Sequence, residues 1–388
     1  VNITDIQSIF GDKVSELVEG ITKLTRLSGK TKNETHAESM RKMILAMVKD
    51  IRSYLVSLVG RESEYECVPV QGSATYGIEA AFHTLVDKTN SKVLVVENGF
   101  YGIRLREVLA AIGLDIVSLE CPVLPPVSGN DIEECVKQNP GITHVALCHC
   151  DTGTGVLNPL EEIADVCKKH GIKLMIDAIA SFGGFEIMAE RLDFEAVIAS
   201  PNKCLEGVPG VGFVICKKSS LIAGEGRSPS AVLDLYAQWS FMEEKGWFRF
   251  TPPTHVLLAI GHAVKRHKAE GGIAPRQARY RKNWKRLVEG LRQHGFVTFM
   301  SDTYASPIIA TFHDPDDPNY SFEKFYEAME RRGFVIFPGR LTAANTFRIG
   351  VLGDLTVEDI SIIIEGVLDS MKEIGVINNS PNDERLIA

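Results

Sequence analysis

The sequence lacks long apolar runs, an excess of positive charge and paired cysteines. None of its 388 residues lies in a run approaching the ~18 consecutive apolar residues that a membrane-spanning helix needs. Its 42 Lys and Arg are outnumbered by 50 Asp and Glu, which leaves a net charge of -8. This balance gives no support for a nucleic-acid or membrane partner, so we expect neither. With 45% hydrophobic and 24% charged residues, the composition also excludes a disordered or fibrous chain.

The eight cysteines are spread along the chain, and the N-terminus, Val1-Asn-Ile-Thr-Asp-Ile, has no basic or apolar region of a signal peptide. Both features predict reduced thiols in the cytoplasm rather than a disulfide framework. The one cluster, Cys148-His149-Cys150, is spaced too closely for a structural zinc site, whose paired cysteines have two to four residues between them. We expect a buried strand end there and no metal. The chain starts without Met, which suggests a fragment or an unusual start.

The first 58 residues have a helical pattern, and the rest alternates between strands and helices. Apolar residues recur at helical spacing over residues 15–27 and 39–58. After Gly60, short runs rich in Val and Ile alternate with helical stretches, which is typical of a mainly parallel sheet with helices on both faces. The seven runs lie at residues 67–70, 93–96, 116–119, 144–148, 173–176, 196–199 and 212–215.

A smaller α+β unit is predicted beyond residue 272, because the sequence becomes rich in Gly and Arg near residues 270–282 before the alternation resumes. Strands are expected near residues 296–299, 306–311, 334–337 and 346–349, followed by a helix over 357–374. The predicted fold class is α/β. We divide the chain into an atypical helical segment (1–52), a large domain (53–272), a small domain (273–376) and a polar tail (377–388).

Two charged residues follow neighbouring buried strands of the predicted sheet. Asp177 ends the run at 173–176, and Lys203 comes just after the run at 196–199. Ligands of open α/β sheets bind at this carboxyl edge. A lysine partly removed from water can bond covalently to a carbonyl group, and an aspartate beside it can hold the protonated ring nitrogen of a pyridoxal cofactor. A surface lysine and a helix-capping aspartate are the alternative.

Three loops add polar groups near the same edge. The segment 71–76, Gln-Gly-Ser-Ala-Thr-Tyr, opens a helix, so Ser73, Thr75 and free backbone N–H groups make either an anion site or a plain cap. Three glycines within residues 204–212 either let a ligand approach the backbone or form a tight turn. The segment 151–155, Asp-Thr-Gly-Thr-Gly, places hydroxyl groups after another strand.

Ten sequence motifs occur in a characteristic order between about residues 51 and 371. They are QGSATYGIEA (71–80), NGFYGIRL (98–105), HCDTGTGVLNP (149–159), IDAIASFGG (176–184), PNKCLEGVPGVGFVI (201–215), LDLYAQW (233–239), RFTPPTH (249–255), SPIIATF (306–312), GFVIFPGRL (333–341) and FRIGVLG (347–353). The set resembles the class V aminotransferases, which are pyridoxal 5′-phosphate enzymes of fold type I. LDLYAQW and RFTPPTH favour the members that move the amino group of 2-aminoethylphosphonate to pyruvate, giving phosphonoacetaldehyde and L-alanine in phosphonate degradation.

The resemblance implies roles for individual residues of this chain. Lys203 would hold the cofactor covalently and later move a proton, and Asp177 would pair with the ring nitrogen. Thr251 would reach the phosphate of the other subunit, which implies a homodimer with active sites at the interface. Arg348 would bind the carboxylate of pyruvate or alanine in a two-pronged bond, unless it forms a surface ion pair. The other expected cofactor contacts are Ser73, Ala74, Thr75 and Asn202 at the phosphate, Tyr101 on the ring face and Thr152 at the ring hydroxyl.

The N-terminal segment departs from the class V pattern. Residues 5–52 resemble a piece of the HD domain of the Rel/Spo guanosine tetraphosphate hydrolases, through the stretches 9–32 and 36–52. The metal ligands of that family are missing, so we expect neither a metal nor hydrolysis. The Leu-Thr-Pro-Gly-Pro segment that opens class V enzymes is also absent, which predicts a weakened substrate entrance.

Other functions fit parts of the sequence. An alanine–glyoxylate or serine–pyruvate aminotransferase would share every cofactor residue. A protein that binds pyridoxal phosphate but turns over poorly would follow from the replaced N-terminus, and a Rel/Spo-type hydrolase fragment would need the missing ligands. The residues that would hold a phosphonate stay open, with Arg249 and Arg340 as candidates by charge alone.

Overall fold

The computed structural model describes residues 33–339 and 344–382, together with Gln7 and Ser15. The predicted helix over residues 15–27 lies, apart from Ser15, outside the described residues, and so does Arg340. The first described element is α1 (Asn33–Ser57), which confirms the helix expected over residues 39–58 and extends it towards the N-terminus.

Seven described strands form the central sheet. In chain order they are β1 (Tyr65–Gln71), β2 (Lys92–Glu97), β3 (Asp115–Glu120), β4 (His144–Cys148), β7 (Lys173–Asp177), β8 (Ala196–Ala199) and β9 (Val211–Lys217), with the short hairpin β5 (Cys150–Asp151) and β6 (Val156–Leu157) after β4. Their spatial order is β1-β9-β8-β7-β4-β2-β3. Strand β9 runs antiparallel to β1 and β8, and the other neighbours are parallel. All seven predicted strands are therefore confirmed.

Helices cover both faces of the sheet, which is why its strands are apolar almost throughout. Strands β4 and β8 are buried at every position. One face packs on α2 (Ala74–Leu85), α3 (Phe100–Ala111), α7 (Lys218–Ala223) and the start of α8 (Leu235–Lys245). The other face packs on α1, α4 (Gly129–Gln138), α5 (Leu160–His170), α6 (Ala189–Leu192) and α9 (Thr254–Glu270).

A second, smaller sheet follows the long helix α10 (Ile273–Arg292). Its elements are β10 (Ile309–His313), α11 (Phe322–Arg331), β11 (Phe337–Pro338), β12 (Thr346–Gly350) and α12 (Val357–Glu373). The strands are antiparallel in the order β10-β12-β11, and they enclose an apolar cluster of their own with α10, α11 and α12. The strand expected at 296–299 is reduced to one antiparallel bridge, between Thr298 and Phe312. The Phe299 N–H donates to the Thr311 carbonyl and the His313 N–H donates to the Val297 carbonyl, both at 2.9 Å, and the pairing extends no further.

All eight cysteines are free, and seven of them are buried. Cys148 ends β4 and Cys150 begins β5, which confirms the predicted buried strand end, while His149 bonds to the Ser181 hydroxyl at 2.9 Å. The described residues contain no group of three or more His, Cys, Asp or Glu that could hold a metal ion. In the same part of the chain, no helix has the length and apolarity needed to cross a membrane.

Helix α1 is anchored in the large core by a buried polar chain. The Tyr54 hydroxyl lies 2.6 Å from His267 Nδ1, and His267 Nε2 lies 2.7 Å from the Gly183 carbonyl oxygen. Because Nε2 faces a carbonyl, it carries the proton and Nδ1 accepts from Tyr54. Burial lowers the pKa of His267, which keeps the ring neutral. Ile51 and Leu55 add apolar contacts, so α1 packs into the same apolar cluster as the central sheet.

We predict that Tyr54→Phe lowers the free energy of unfolding by about 1–2 kcal/mol, because it leaves the buried His267 Nδ1 without a donor. Urea denaturation at pH 7.5 measures the change. Tyr326→Phe is the matched control, since that hydroxyl is exposed and lies 3.5 Å from Glu330. Equal effects of the two substitutions would mean that the buried chain does not stabilise α1.

Candidate active site

The carboxyl edge of the central sheet holds a cavity of about 200 Å³. It forms there because the loops after β1, β2, β4, β7 and β8 leave the sheet on one side. Eight of the ten residues predicted from the sequence line it: Ser73, Ala74, Thr75, Tyr101, Thr152, Asp177, Asn202 and Lys203. Arg348 and Thr251 are the two that do not.

Asp177 is a buried carboxylate with one oxygen unpaired. Its Oδ1 accepts a hydrogen bond from the Ile179 N–H at 3.0 Å, while Oδ2 is buried and has no hydrogen-bond partner. Burial raises the pKa of Asp177 to about 6, an effect that the Ile179 N–H and Arg104 partly oppose. A buried carboxylate oxygen without a hydrogen-bond partner is costly, so the site is suited to a ligand that brings a positively charged N–H group. The protonated ring nitrogen of pyridoxal phosphate is such a group.

Lys203 lies in a tight turn that follows β8. The Glu206 N–H donates to the Lys203 carbonyl at 2.9 Å, and the Gly207 N–H donates to the Pro201 carbonyl at 2.6 Å. The Cys204 thiol donates to the Ala180 carbonyl at 3.1 Å, which ties the turn to the loop after Asp177. Within the described residues, the Lys203 amino group forms no hydrogen bond or ion pair. The backbone of the turn is thus fixed while its amine stays available.

The N-terminus of α2 lines the same cavity and fits a phosphate. Ser73 is the N-cap, and its hydroxyl accepts from the Thr75 N–H at 3.3 Å. Gly72 and Gly210, with φ of +110° and +122°, are joined by a 2.9 Å backbone bond that closes the cradle. Free N–H groups and the helix dipole favour an anion at such a terminus. The donor set therefore fits both ends of pyridoxal phosphate.

Asp151 is a positioning residue that the sequence reasoning missed. Its Oδ2 accepts from the Tyr101 N–H at 2.7 Å, and its Oδ1 accepts from the N–H groups of Gly153 at 2.7 Å and Thr154 at 3.2 Å. One buried carboxylate thus joins the start of α3, where Tyr101 lies, to the loop of Thr152. The signal was present in Asp-Thr-Gly-Thr, because an Asp before such a loop commonly bonds to the backbone two residues on.

Arg104 is a second missed residue, and it lines the cavity. Its guanidinium carbon lies 4.4 Å from the centre of the Tyr101 ring, and its Nη2 lies 3.9 Å from Asp177 Oδ2. Arg104 follows Tyr101 by three residues in α3, a spacing that places both side chains on one helix face. The helical period of NGFYGIRL could therefore have predicted this cation.

Arg348 lies beside the cavity rather than in it. It lines an adjoining cavity of about 480 Å³ that shares Tyr101, Thr152, Asn202 and Lys203 with the first. Its Nε donates to the Pro338 carbonyl at 2.9 Å, and its Nη1 donates to the Thr152 carbonyl. The side chain is buried and not at the surface.

Thr251 is exposed and lies in the loop before α9, outside both cavities. Arg249, a candidate for the phosphonate by charge, donates through Nη1 to the Ala231 carbonyl at 2.9 Å, also away from these cavities. The structure therefore does not bring either residue to the site of its own chain.

Sequence comparison gives a family and named relatives. A sequence model of the class V aminotransferases matches residues 12–345. A 2-aminoethylphosphonate–pyruvate transaminase from Burkholderia lata is 44% identical over 331 residues, which cover 85% of this chain and 88% of that protein. A protein of the same name from Pseudomonas putida is 43% identical over 324 residues, covering 84% of this chain and 88% of its own length.

Structural comparison points to the same fold. An aspartate aminotransferase from Thermus thermophilus superimposes with a TM-score of 0.76 at 22% identity, covering 86% of this chain and 91% of that one. A pyridoxamine–pyruvate aminotransferase from Mesorhizobium loti gives 0.75 at 25% identity, covering 85% of each chain. The fold is that of the type I pyridoxal-phosphate enzymes, and the chain belongs to the class V aminotransferases, whose cofactor is pyridoxal 5′-phosphate.

Proposed function

We propose that this chain moves the amino group of 2-aminoethylphosphonate to pyruvate, giving phosphonoacetaldehyde and L-alanine. The observation that carries the chemistry is the unpaired Asp177 oxygen in the same cavity as the unbonded Lys203 amine. The substrate assignment rests on relatives 41–44% identical over most of the chain, which are named for this reaction. The residue roles below are proposals that this geometry supports.

Pyridoxal phosphate, when bound, supplies an electron sink that stabilises negative charge on the carbon bearing the amino group. Asp177 would keep the proton on the ring nitrogen by its charge, and Thr152 would donate to the ring hydroxyl oxygen. Tyr101 would support one face of the ring. Ser73, Thr75, the Ala74 N–H and Asn202, which line the same cavity, would hold the phosphate.

Lys203 acts twice in the proposed reaction. Its amine would hold the cofactor covalently. When free, the amine would still be held over the cavity by its turn, and it would take a proton from the substrate carbon and return it one position away. Arg348 binds the carboxylate of pyruvate from the adjoining cavity, within reach of the same lysine because both cavities are lined by Lys203.

We also propose a homodimer in the cytoplasm. The apolar side chains of Tyr76, Val232 and Phe250 are 51%, 67% and 45% exposed and line one groove beside the start of α2. Thr251 is exposed next to Phe250, which suits contact with a second copy. A partner seated on this groove would cover the apolar patch and bring its Thr251 to the phosphate cradle.

The proposed domains are a large one over residues 53–272 and a small one over 273–376, after a segment 1–52 and before a tail 377–388. Their separate apolar clusters support the division. Helix α1 crosses the first boundary, because Ile44 and Val48 lie in the same cluster as Leu55.

The reaction itself is the first test. Purified protein loaded with cofactor should form L-alanine from 2-aminoethylphosphonate and pyruvate, with a higher kcat/KM than with serine or with alanine and glyoxylate. Lys203→Ala should lower kcat by about 10³-fold or more, because the nucleophile and the proton carrier are lost together. Lys217→Ala, which breaks a surface ion pair with Asp193, is the control. Cofactor binding without turnover of any donor would contradict the proposal.

Asp177→Asn should separate stability from activity. Ionising this carboxyl in the folded, cofactor-free protein costs energy, since its pKa is raised from 3.8 to about 6. The variant should therefore be more stable than the wild type by about 3 kcal/mol above pH 6, and the difference should vanish as the pH falls towards 4. Its transamination rate should fall about 10²-fold, since the charge that stabilises the protonated ring is gone.

The measurements are denaturant unfolding of the cofactor-free protein between pH 4 and 8, and steady-state rates with cofactor. Comparing the two chains at each pH cancels the titrating groups that do not interact with Asp177; the charged neighbours that act on it are Arg104 and Asp151. Asp115→Asn, at an exposed edge position, is the control. A pH-independent stability difference would mean that Asp177 is not the titrating group.

Subunit mixing tests the shared site. Thr251→Glu places a negative charge beside the partner's phosphate, so it and Lys203→Ala should each be inactive alone. Refolded together at equal amounts, they should recover about a quarter of the wild-type activity per chain, because random pairing leaves one complete site in each mixed dimer. Light scattering establishes the dimer. No recovery would show that Thr251 does not act across subunits.

A further inference from the structure

Glu206, three residues after Lys203, has an unusual backbone. Its φ of +57° is one of three positive values among the described non-glycine residues. The other two, Arg61 and Asp193, are joined to each other by a 2.7 Å ion pair at the surface. A left-handed conformation costs a residue with a Cβ about 1 kcal/mol or more, so its surroundings must hold it. The strained residue is also the last residue of the turn that carries Lys203, since the Glu206 N–H donates to the Lys203 carbonyl.

The Glu206 side chain lies in a cluster of buried polar side chains. Its Oε1 accepts from the Tyr280 hydroxyl at 2.7 Å and from Arg279 Nη2 at 2.8 Å, and its Oε2 lies 3.7 Å from Arg276 Nη1. Tyr280 and Arg276 are almost fully buried. Two donated hydrogen bonds and one longer ion pair hold this buried carboxylate, and moving it would leave charges unpaired, so they fix the position of the turn.

Glu270 balances the charge of this cluster from the other side. Its carboxylate lies 2.6 Å from Arg276 Nη2 and 2.8 Å from Arg279 Nε, so two glutamates face two arginines. Arg276 Nη1 also donates to the Cys204 carbonyl at 2.7 Å. The difference between the glutamates is their place in the chain: Glu206 belongs to the lysine turn, whereas Glu270 ends α9 and reaches that turn through the two arginines.

The cluster also reaches the small domain. Arg279 Nη1 donates to the Gly353 carbonyl, in the loop that follows β12. Strand β12 carries Arg348, the residue proposed to bind the acceptor carboxylate. One buried network thus touches both the turn of the lysine and the loop after the arginine strand.

We infer that Glu206 is a positioning residue: it holds the Lys203 turn in register with the Arg348 strand through Arg279. This rests on the proposed function, because it assigns Lys203 the covalent and proton-moving role. Glu206 touches neither cofactor nor substrate, and it acts through the place it gives to the lysine amine. If the cluster only stabilised the junction of α9 and α10, replacing either glutamate would have the same effect on the bound cofactor.

The test compares Glu206→Gln with Glu270→Gln, which removes the same charge from the same arginines. Both should lower the thermal unfolding temperature. Only Glu206→Gln should shift the pH at which the bound cofactor's visible absorbance changes, by about half a pH unit or more, and speed cofactor release. It should lower kcat about tenfold with KM for the amine nearly unchanged, the pattern of a misplaced catalytic group.

Two further variants keep the result decisive. Tyr280→Phe removes one uncharged bond to Glu206 and should shift the absorbance change in the same direction by less; it replaces Glu206→Gln if that chain does not fold. Glu206→Gly relieves the backbone strain without restoring the carboxylate, so it should resemble Glu206→Gln. Equal absorbance and release for the Glu206 and Glu270 variants, or wild-type behaviour of Glu206→Gly, would overturn the inference.

The absorbance and release measurements need bound cofactor but no particular amine. A wrong substrate assignment would therefore show itself as a wild-type protein inactive with 2-aminoethylphosphonate, while the comparison of the two glutamates would still give its answer.

Discussion

A single unpaired oxygen, Asp177 Oδ2, is the constraint around which the site is built. It lies at the end of a central strand, out of reach of solvent, with the nearest cation 3.9 Å away. In water such a carboxylate oxygen would be hydrated, and here a ligand with a charged N–H can replace that hydration. A bound cofactor with a protonated ring nitrogen would balance the charge of Asp177. Burying this carboxylate lowers the stability of the cofactor-free protein, and it makes the site selective for a cationic ring.

Much of this architecture follows from local patterns. The strands of a parallel sheet covered on both faces have to be continuous apolar runs, and these are the easiest elements to see in a sequence. Asp177 and Lys203 stand directly after two such runs, so their meeting at one edge follows from the topology. The contrast is the run at 296–299, which pairs with β10 through a single bridge and does not extend into a full strand.

The residues that escaped sequence reasoning act through tertiary contacts. Asp151 is recognisable as a turn former, but nothing local says that the N–H it binds belongs to Tyr101, fifty residues earlier. Glu206 lies in a glycine-rich loop, a composition that predicts a flexible backbone. Its φ is nevertheless positive, and its hydrogen-bond partners Arg279 and Tyr280 are more than seventy residues away. Polar side chains that position other groups do not recur at helix or strand spacing in the sequence, because their role depends on where distant segments meet in the fold.

The antiparallel strand β9 has a consequence for how the chain is made. Because it enters the sheet from the carboxyl edge, its first residues bring Gly210 against Gly72, and the proposed phosphate cradle is closed by segments far apart in the chain. During synthesis from the N-terminus, β1 must wait for its only described neighbour in the sheet, β9, until residues 211–217 have emerged from the ribosome. Such a late, non-local pairing is slow to close and leaves a strand edge exposed meanwhile. The anion site is therefore among the last parts of the nascent large domain to exist, and no cofactor can be captured through its phosphate before that strand arrives.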